Sequence, residues 1–112
     1  MDSKASNKIR VLNKLGRDKA HEFLTSKGST PITRILSDDE YKVALYNKLQ
    51  EEVAEFLETP VPEELADILE VIHALAPVVC GSREELEKVR LAKFRQRGGY
   101  AKKIFILEIH DK

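Results

Sequence analysis

The sequence predicts a mainly α fold: a central helical hairpin, two further helices around it, and a small two-stranded β ribbon. Three observations carry this. Two serine-based capping boxes, Ser37–Glu40 and Ser82–Glu85, each open a run of helical apolar period. Thr59-Pro60-Val61-Pro62 divides the longest helical stretch in two, because proline removes a backbone donor and clashes with the preceding turn. The 112 residues, 42% hydrophobic and 34% charged, suffice for one core and read as a single domain spanning 1–112.

The elements follow in chain order. Residues 1–10 are polar and basic and read as a flexible end. A short helix is expected over Arg17–Lys27, with Gly28 as its stop. Ser29-Thr30-Pro31 breaks the chain, and Ile32-Thr33-Arg34-Ile35-Leu36 reads as a strand. The capping box at Ser37 starts a second helix at Asp38, which runs to Glu58. Pro62 suits the first turn of a third helix, Glu63 to Val79, and Pro77 should kink or fray its end. Gly81 stops it, and a fourth helix begins after Ser82 and runs to Gln96, before Gly98-Gly99. Ile104-Phe105-Ile106-Leu107-Glu108-Ile109 reads as a second strand, which would have to pack on the helices to persist.

Composition narrows the function. No apolar run approaches the ~18 residues of a membrane helix, and residues 1–10 lack an apolar signal-peptide core. The lone Cys80 excludes an internal disulfide and a cysteine zinc site, so a reducing cytoplasm is the expected location, with no membrane partner. Net charge is zero but unevenly spread: +5 over residues 1–37, −9 over 38–70 and +4 over 71–112. A nucleic-acid binder using these basic flanks would normally carry a clear net positive charge, so no nucleic-acid partner is expected.

The acidic centre is informative because of where its carboxylates fall on a helical wheel. In the second helix Tyr41, Leu45, Leu49, Val53 and Phe56 form an apolar stripe, and Glu52 lies about 20° from Leu45, inside it. Glu55 sits at the stripe's edge and Glu51 beyond it. In the third helix Leu65, Ile68, Leu69, Ile72, Leu75 and Ala76 form an apolar arc that contains Glu64, with Asp67 at its border. A buried, unpaired carboxylate costs several kcal/mol, so such a group is neutralised, paired or metal-bound. A run of glutamates is usually a solvated face, here paired with Lys48. Acid pairs at i, i+3 on two adjacent helices, both on apolar faces, favour a metal site instead. All-oxygen ligands select hard ions, Mg²⁺ with Mn²⁺ as the alternative.

Glu51-Glu52-Val53-Ala54-Glu55 followed by Glu64-Leu65-Ala66-Asp67 resembles the E-E-x-x-E … E-x-x-D signature of the all-α nucleoside triphosphate pyrophosphatases. Asn13-Lys14-Leu15-Gly16-Arg17-Asp18-Lys19, Arg34-Ile35-Leu36-Ser37-Asp38 and Arg97-Gly98-Gly99-Tyr100 resemble a small MazG-like subgroup often labelled phosphoribosyl-ATP pyrophosphohydrolase-like. The similarity runs from Leu12 to Ile109, with departures at Gly16, at Ala20-His21 and at Pro77. It implies a Mg²⁺-dependent hydrolase that cleaves an NTP or related nucleotide to the monophosphate and pyrophosphate. Glu52, Glu55, Glu64 and Asp67 would hold metal, and Glu51 would position the attacking water or accept its proton. It also implies a homodimer or homotetramer, in keeping with the apolar third helix of so small a chain.

The basic flanks would complement that site. Leu86, Arg90, Lys93 and Arg97 share one face of the fourth helix, so Lys93 and Arg97 are candidates for binding phosphate. Lys14, Arg17 and Lys19 form a second cluster near a loop-to-helix start and are further substrate-binding candidates. The contrasting reading is a non-catalytic helical interaction module whose acidic face binds metal or a basic protein.

Overall fold

The computed structural model of the chain describes residues 8–112, so the expected flexible end lies largely outside the described residues. Four helices are formed: α1 (Ala20–Ser26), α2 (Asp38–Glu58), α3 (Pro62–Cys80) and α4 (Arg83–Arg97). The chain divides into two compact units, Met1–Leu75 and Ala76–Lys112, with the boundary inside α3.

In the first unit, α2 and the start of α3 form the hairpin that carries the acidic centre. The start of α2 is as the sequence requires. The Ser37 hydroxyl accepts from the Glu40 backbone N–H at 3.2 Å, and the Glu40 carboxylate accepts from the Ser37 N–H at 3.0 Å. Arg34 closes on the same carboxylate through Nη1 and Nη2, at 3.1 and 2.9 Å. Arg34, then the Ser37 backbone, lower the Glu40 pKa from 4.5 to about 2. A depressed carboxylate stabilises the fold above its unfolded value, and that contribution is lost as pH falls through about 2. NMR titration of the Glu40 side chain should therefore give a midpoint well below the other glutamates. Arg34→Ala should move it back towards 4.5, and an unmoved midpoint would remove Arg34 from the lock.

The break between α2 and α3 is short. Thr59 caps α2, its N–H donating to the Glu55 carbonyl, and the Val61 carbonyl accepts from the N–H groups of Glu64 and Leu65. Pro62 is thus the first helical residue of α3, where its missing N–H has no intrahelical role. Leu45 is 2% exposed, Val71 is buried, and Tyr41, Leu49, Phe56, Ile68, Ile72 and Leu75 are half-buried. These side chains lie on the two helical stripes expected to face inward, but Val53, Leu65 and Leu69 of the same stripes are exposed.

Three expectations need correction. Among the described residues there is no strand: Ile32–Leu36 and Ile104–Ile109 are irregular chain, with Ile32, Ile35, Ile104, Phe105, Ile106, Leu107 and Ile109 exposed. The ribbon was expected from apolar content alone. Strand pairs need a covering surface, and these side chains remain open to solvent. The first helix begins at Ala20, not Arg17, because the Arg17 carbonyl is used in a turn that accepts the Ala20 N–H at 2.9 Å. It ends as expected, with the Gly28 N–H reaching the Thr25 carbonyl and the Ser29 N–H the Leu24 carbonyl. Gly28 has φ +89°, which a side chain would disfavour. The capping box at Ser82 is half-formed: its hydroxyl accepts from the Glu85 N–H, while the Glu85 carboxylate pairs with Lys88 at 3.1 Å.

In the second unit α4 follows this cap, and α3 passes through Pro77 to Cys80. The Cys80 thiol donates to the Ala76 carbonyl at 3.3 Å. Among the described residues no single helix is long and apolar enough to cross a membrane.

Candidate metal centre

The helical hairpin brings the expected carboxylates together. One oxygen from each of Glu51, Glu52 and Glu55 lies within 4.8 Å of the others, and the same holds for Glu52, Glu64 and Asp67. Glu52 belongs to both groups. It comes from the middle of α2, and its partners in the second group come from the first two turns of α3. The short Thr59–Val61 connection accounts for this meeting, since it returns the chain directly alongside α2.

Glu52 is the informative member. It is 7% exposed, and among the described residues its Oε2 atom is buried without a hydrogen-bond partner. Glu64 Oε2 is likewise buried and unpartnered. Burial, then the neighbouring Glu55, pushes the Glu52 carboxyl above its ordinary pKa. Burial, then Glu55 and Asp67, does the same to Glu64. Each carboxyl thus keeps a buried oxygen without a partner among the described residues, and a cation would supply one. The oxygen-only donor set fits a hard divalent ion such as Mg²⁺ or Mn²⁺.

The outer carboxylates differ. Lys14 donates to Glu51 Oε2 at 2.9 Å, and Arg17 donates to Asp67 Oδ1 at 2.6 Å. The hydrogen bond from Lys14 holds the Glu51 carboxyl below its ordinary value. Glu51 therefore stays ionised, which suits orienting a water molecule better than taking a proton. Two of the three basic residues expected near the first helix thus reach the acidic centre. The third, Lys19, is the residue before α1, where its carbonyl accepts the Phe23 N–H.

Lys48 is the residue that the sequence reading undervalued. The sequence points to it only as the partner of a solvated glutamate face. Its side chain is 23% exposed, and Nζ lies 3.4 Å from Glu51 Oε1 and 4.0 Å from Glu52 Oε1. The signal was present in its i, i+3 and i, i+4 spacing to two candidate ligands. Lys93 and Arg97 are exposed on α4 in the second unit, and among the described residues neither makes an ion pair. Arg90, on the same helix, is instead held by both oxygens of Glu87, at 2.9 and 2.6 Å.

No family model matches the chain, and no solved structure matches it. It is similar to an uncharacterized protein of Mycolicibacterium smegmatis (strain ATCC 700084 / mc(2)155), 56% identical over 41 residues. That match covers 37% of this chain and spans 42% of the relative's length.

Proposed function

We propose that the chain is a divalent-cation-dependent pyrophosphohydrolase, cleaving an NTP or related nucleotide to the monophosphate and pyrophosphate. The observation that supports this is the buried Glu52 carboxylate, unpartnered at Oε2 and shared by two converging acid groups. Glu52, Glu55, Glu64 and Asp67 would hold the cation, with Mg²⁺ the first choice and Mn²⁺ the second. When bound, such an ion would offset phosphate charge in the transition state and lower the pKa of a water. Glu51, whose carboxyl is held below its ordinary range in the metal-free chain, would orient that water by accepting its hydrogen bond. The resemblance of the E-E-x-x-E … E-x-x-D pattern suggests the reaction class, and the acid geometry supports a bound cation.

The test is a panel of canonical and modified NTPs incubated with Mg²⁺, with products separated. Monophosphate plus pyrophosphate supports the reading, and diphosphate plus phosphate contradicts it. Saturable Mg²⁺ binding with no hydrolysis of any nucleotide would favour the non-catalytic interaction module.

Lys93 and Arg97 of α4, without an ion pair among the described residues, are phosphate-binding candidates in this reading. Arg97→Lys keeps the charge but loses the planar fork that binds two phosphate oxygens at once. Losing a charged hydrogen bond to phosphate is worth roughly 1.5–3 kcal/mol, so kcat/KM should fall about 10- to 150-fold for Arg97→Lys and for Lys93→Ala. Mg²⁺ affinity should be unchanged in both. Normal hydrolysis by both variants would remove α4 from phosphate binding.

A second copy of the chain is part of the same reading. Val43, Tyr46, Val53 and Leu57 are exposed on α2 at heptad spacing, and Val61, Leu65 and Leu69 are exposed at and beyond the turn. A stripe of this spacing fits a helix of another subunit, giving a dimer or a tetramer. Sedimentation at micromolar concentration should show one of these, and Leu57→Glu should shift it towards monomer. A compact wild-type monomer would contradict the assignment.

A further inference from the structure

Lys14 and Arg17 strap the acidic centre from outside. They are three residues apart in an irregular segment, yet Lys14 reaches Glu51 on α2 and Arg17 reaches Asp67 on α3. They take the outer carboxylates and, among the described residues, leave Glu52 Oε2 and Glu64 Oε2 unpartnered. Both side chains are well exposed, at 53% for Lys14 and 64% for Arg17. Ion pairs that open to water are weak and exchange readily, whereas a divalent ion among several carboxylates is held strongly. Asn13, just before Lys14, has φ +49°, a left-handed conformation.

We propose that Lys14 and Arg17 are exchangeable counter-ions: a divalent cation displaces them from Glu51 and Asp67, and the released pair then binds a phosphate group of the ligand. This rests on the metal-site reading above. In the metal-free protein the strap offsets part of the mutual repulsion of the carboxylates. Once a cation supplies that charge, an amine and a guanidinium stand free at the rim of the site. The arriving phosphate is thus met by two groups that were unavailable before. Cation and phosphate then bind with positive coupling, each raising the affinity for the other.

Trypsin reads the exchange directly, because it needs a free Lys14 side chain to cut the Lys14–Leu15 bond. In the full chain, Mg²⁺ should accelerate cleavage after Lys14 several-fold while leaving cleavage after the exposed Lys102 and Lys103 unchanged. Inorganic phosphate should restore protection at Lys14 only when Mg²⁺ is present. Calorimetry of Mg²⁺ alone supplies the second readout. Removing a competing cation by Arg17→Gln or Lys14→Gln should tighten Mg²⁺ binding by about two- to five-fold. It should also abolish the gain in Mg²⁺ affinity that phosphate gives the wild type. If Mg²⁺ binds the wild type but neither cleavage after Lys14 nor the affinity of the variants changes, the exchange is wrong and the metal site stands. If Mg²⁺ does not bind the wild type at all, the metal site and the exchange fall together.

Discussion

Glu52→Gln should abolish turnover and, at the same time, raise the melting temperature of the metal-free protein. Substituting residues that merely support a metal ligand typically costs 10- to 100-fold, so loss of a central ligand should exceed roughly 100-fold. The gain in stability has a separate cause. Glu52 is buried, one of its oxygens has no partner among the described residues, and Glu55 lies beside it. Glutamine keeps the shape and removes the charge. Each kcal/mol so relieved is worth roughly 4–8 °C for a domain of this size. The sign with pH follows from the raised pKa. A carboxyl whose folded pKa lies above its unfolded value destabilises the fold most when fully ionised, and that burden disappears as pH falls through the raised value. The advantage of Glu52→Gln should therefore be full at high pH and vanish in acid. Asp67→Ala provides the contrast, since Asp67 is already paired with Arg17. It should lose turnover without gaining stability. Near-wild-type turnover in Glu52→Gln, or a lower melting temperature without metal, would overturn the assignment.

Leu45→Ala should have the largest effect on the fold. Leu45 is the one large side chain among the described residues that is fully enclosed, at 2% exposure. Truncating such a leucine costs about 2–5 kcal/mol through lost burial and the cavity left behind. Set against a typical total of about 5–15 kcal/mol, that is a large share, and the melting temperature should drop by roughly 10 °C or more. Ile35→Ala, at 95% exposure, is the matched control and should barely move it. The two transitions can be followed by far-ultraviolet circular dichroism. Equal shifts in both variants would mean that Leu45 does not anchor the hairpin.

The bounds of α2 and the start of α3 were legible because their signals are local. Ser37, Glu40, Thr59, Pro60 and Pro62 each act within one turn of themselves, so adjacent residues decide the outcome. The convergence of Glu52, Glu55, Glu64 and Asp67 was legible for a related reason: a helix fixes which residues share a face, and a short turn fixes which faces meet. The strands were not. Ile32–Leu36 and Ile104–Ile109 have the right residues, but a strand needs a partner at a distance that composition does not specify. The strap was equally hidden. Lys14 and Glu51 are 37 residues apart, and Arg17 and Asp67 are 50 apart, so no spacing rule links them. The sequence points both cations towards a substrate, and the structure pairs them with the carboxylates.

The unpaired segment Ile104–Ile109 has a consequence for how the chain behaves as a colloid. Five of its six residues are aliphatic or aromatic, and all of the apolar ones face solvent on a backbone that belongs to no sheet. A run of this length and β propensity, without proline, is a template for strand addition between molecules. The flanks act against it. Lys102 and Lys103 precede the run, Glu108 interrupts it, and His110, Asp111 and Lys112 follow it. Like charges brought into register by stacking repel one another, so these residues serve as gatekeepers. Their protection weakens as salt screens the charges, with a screening length that shrinks from about 10 Å at 0.1 M to about 3 Å at 1 M. Concentrated stocks should therefore be most prone to precipitate in high salt, and deleting the lysine pair should lower the concentration at which turbidity appears.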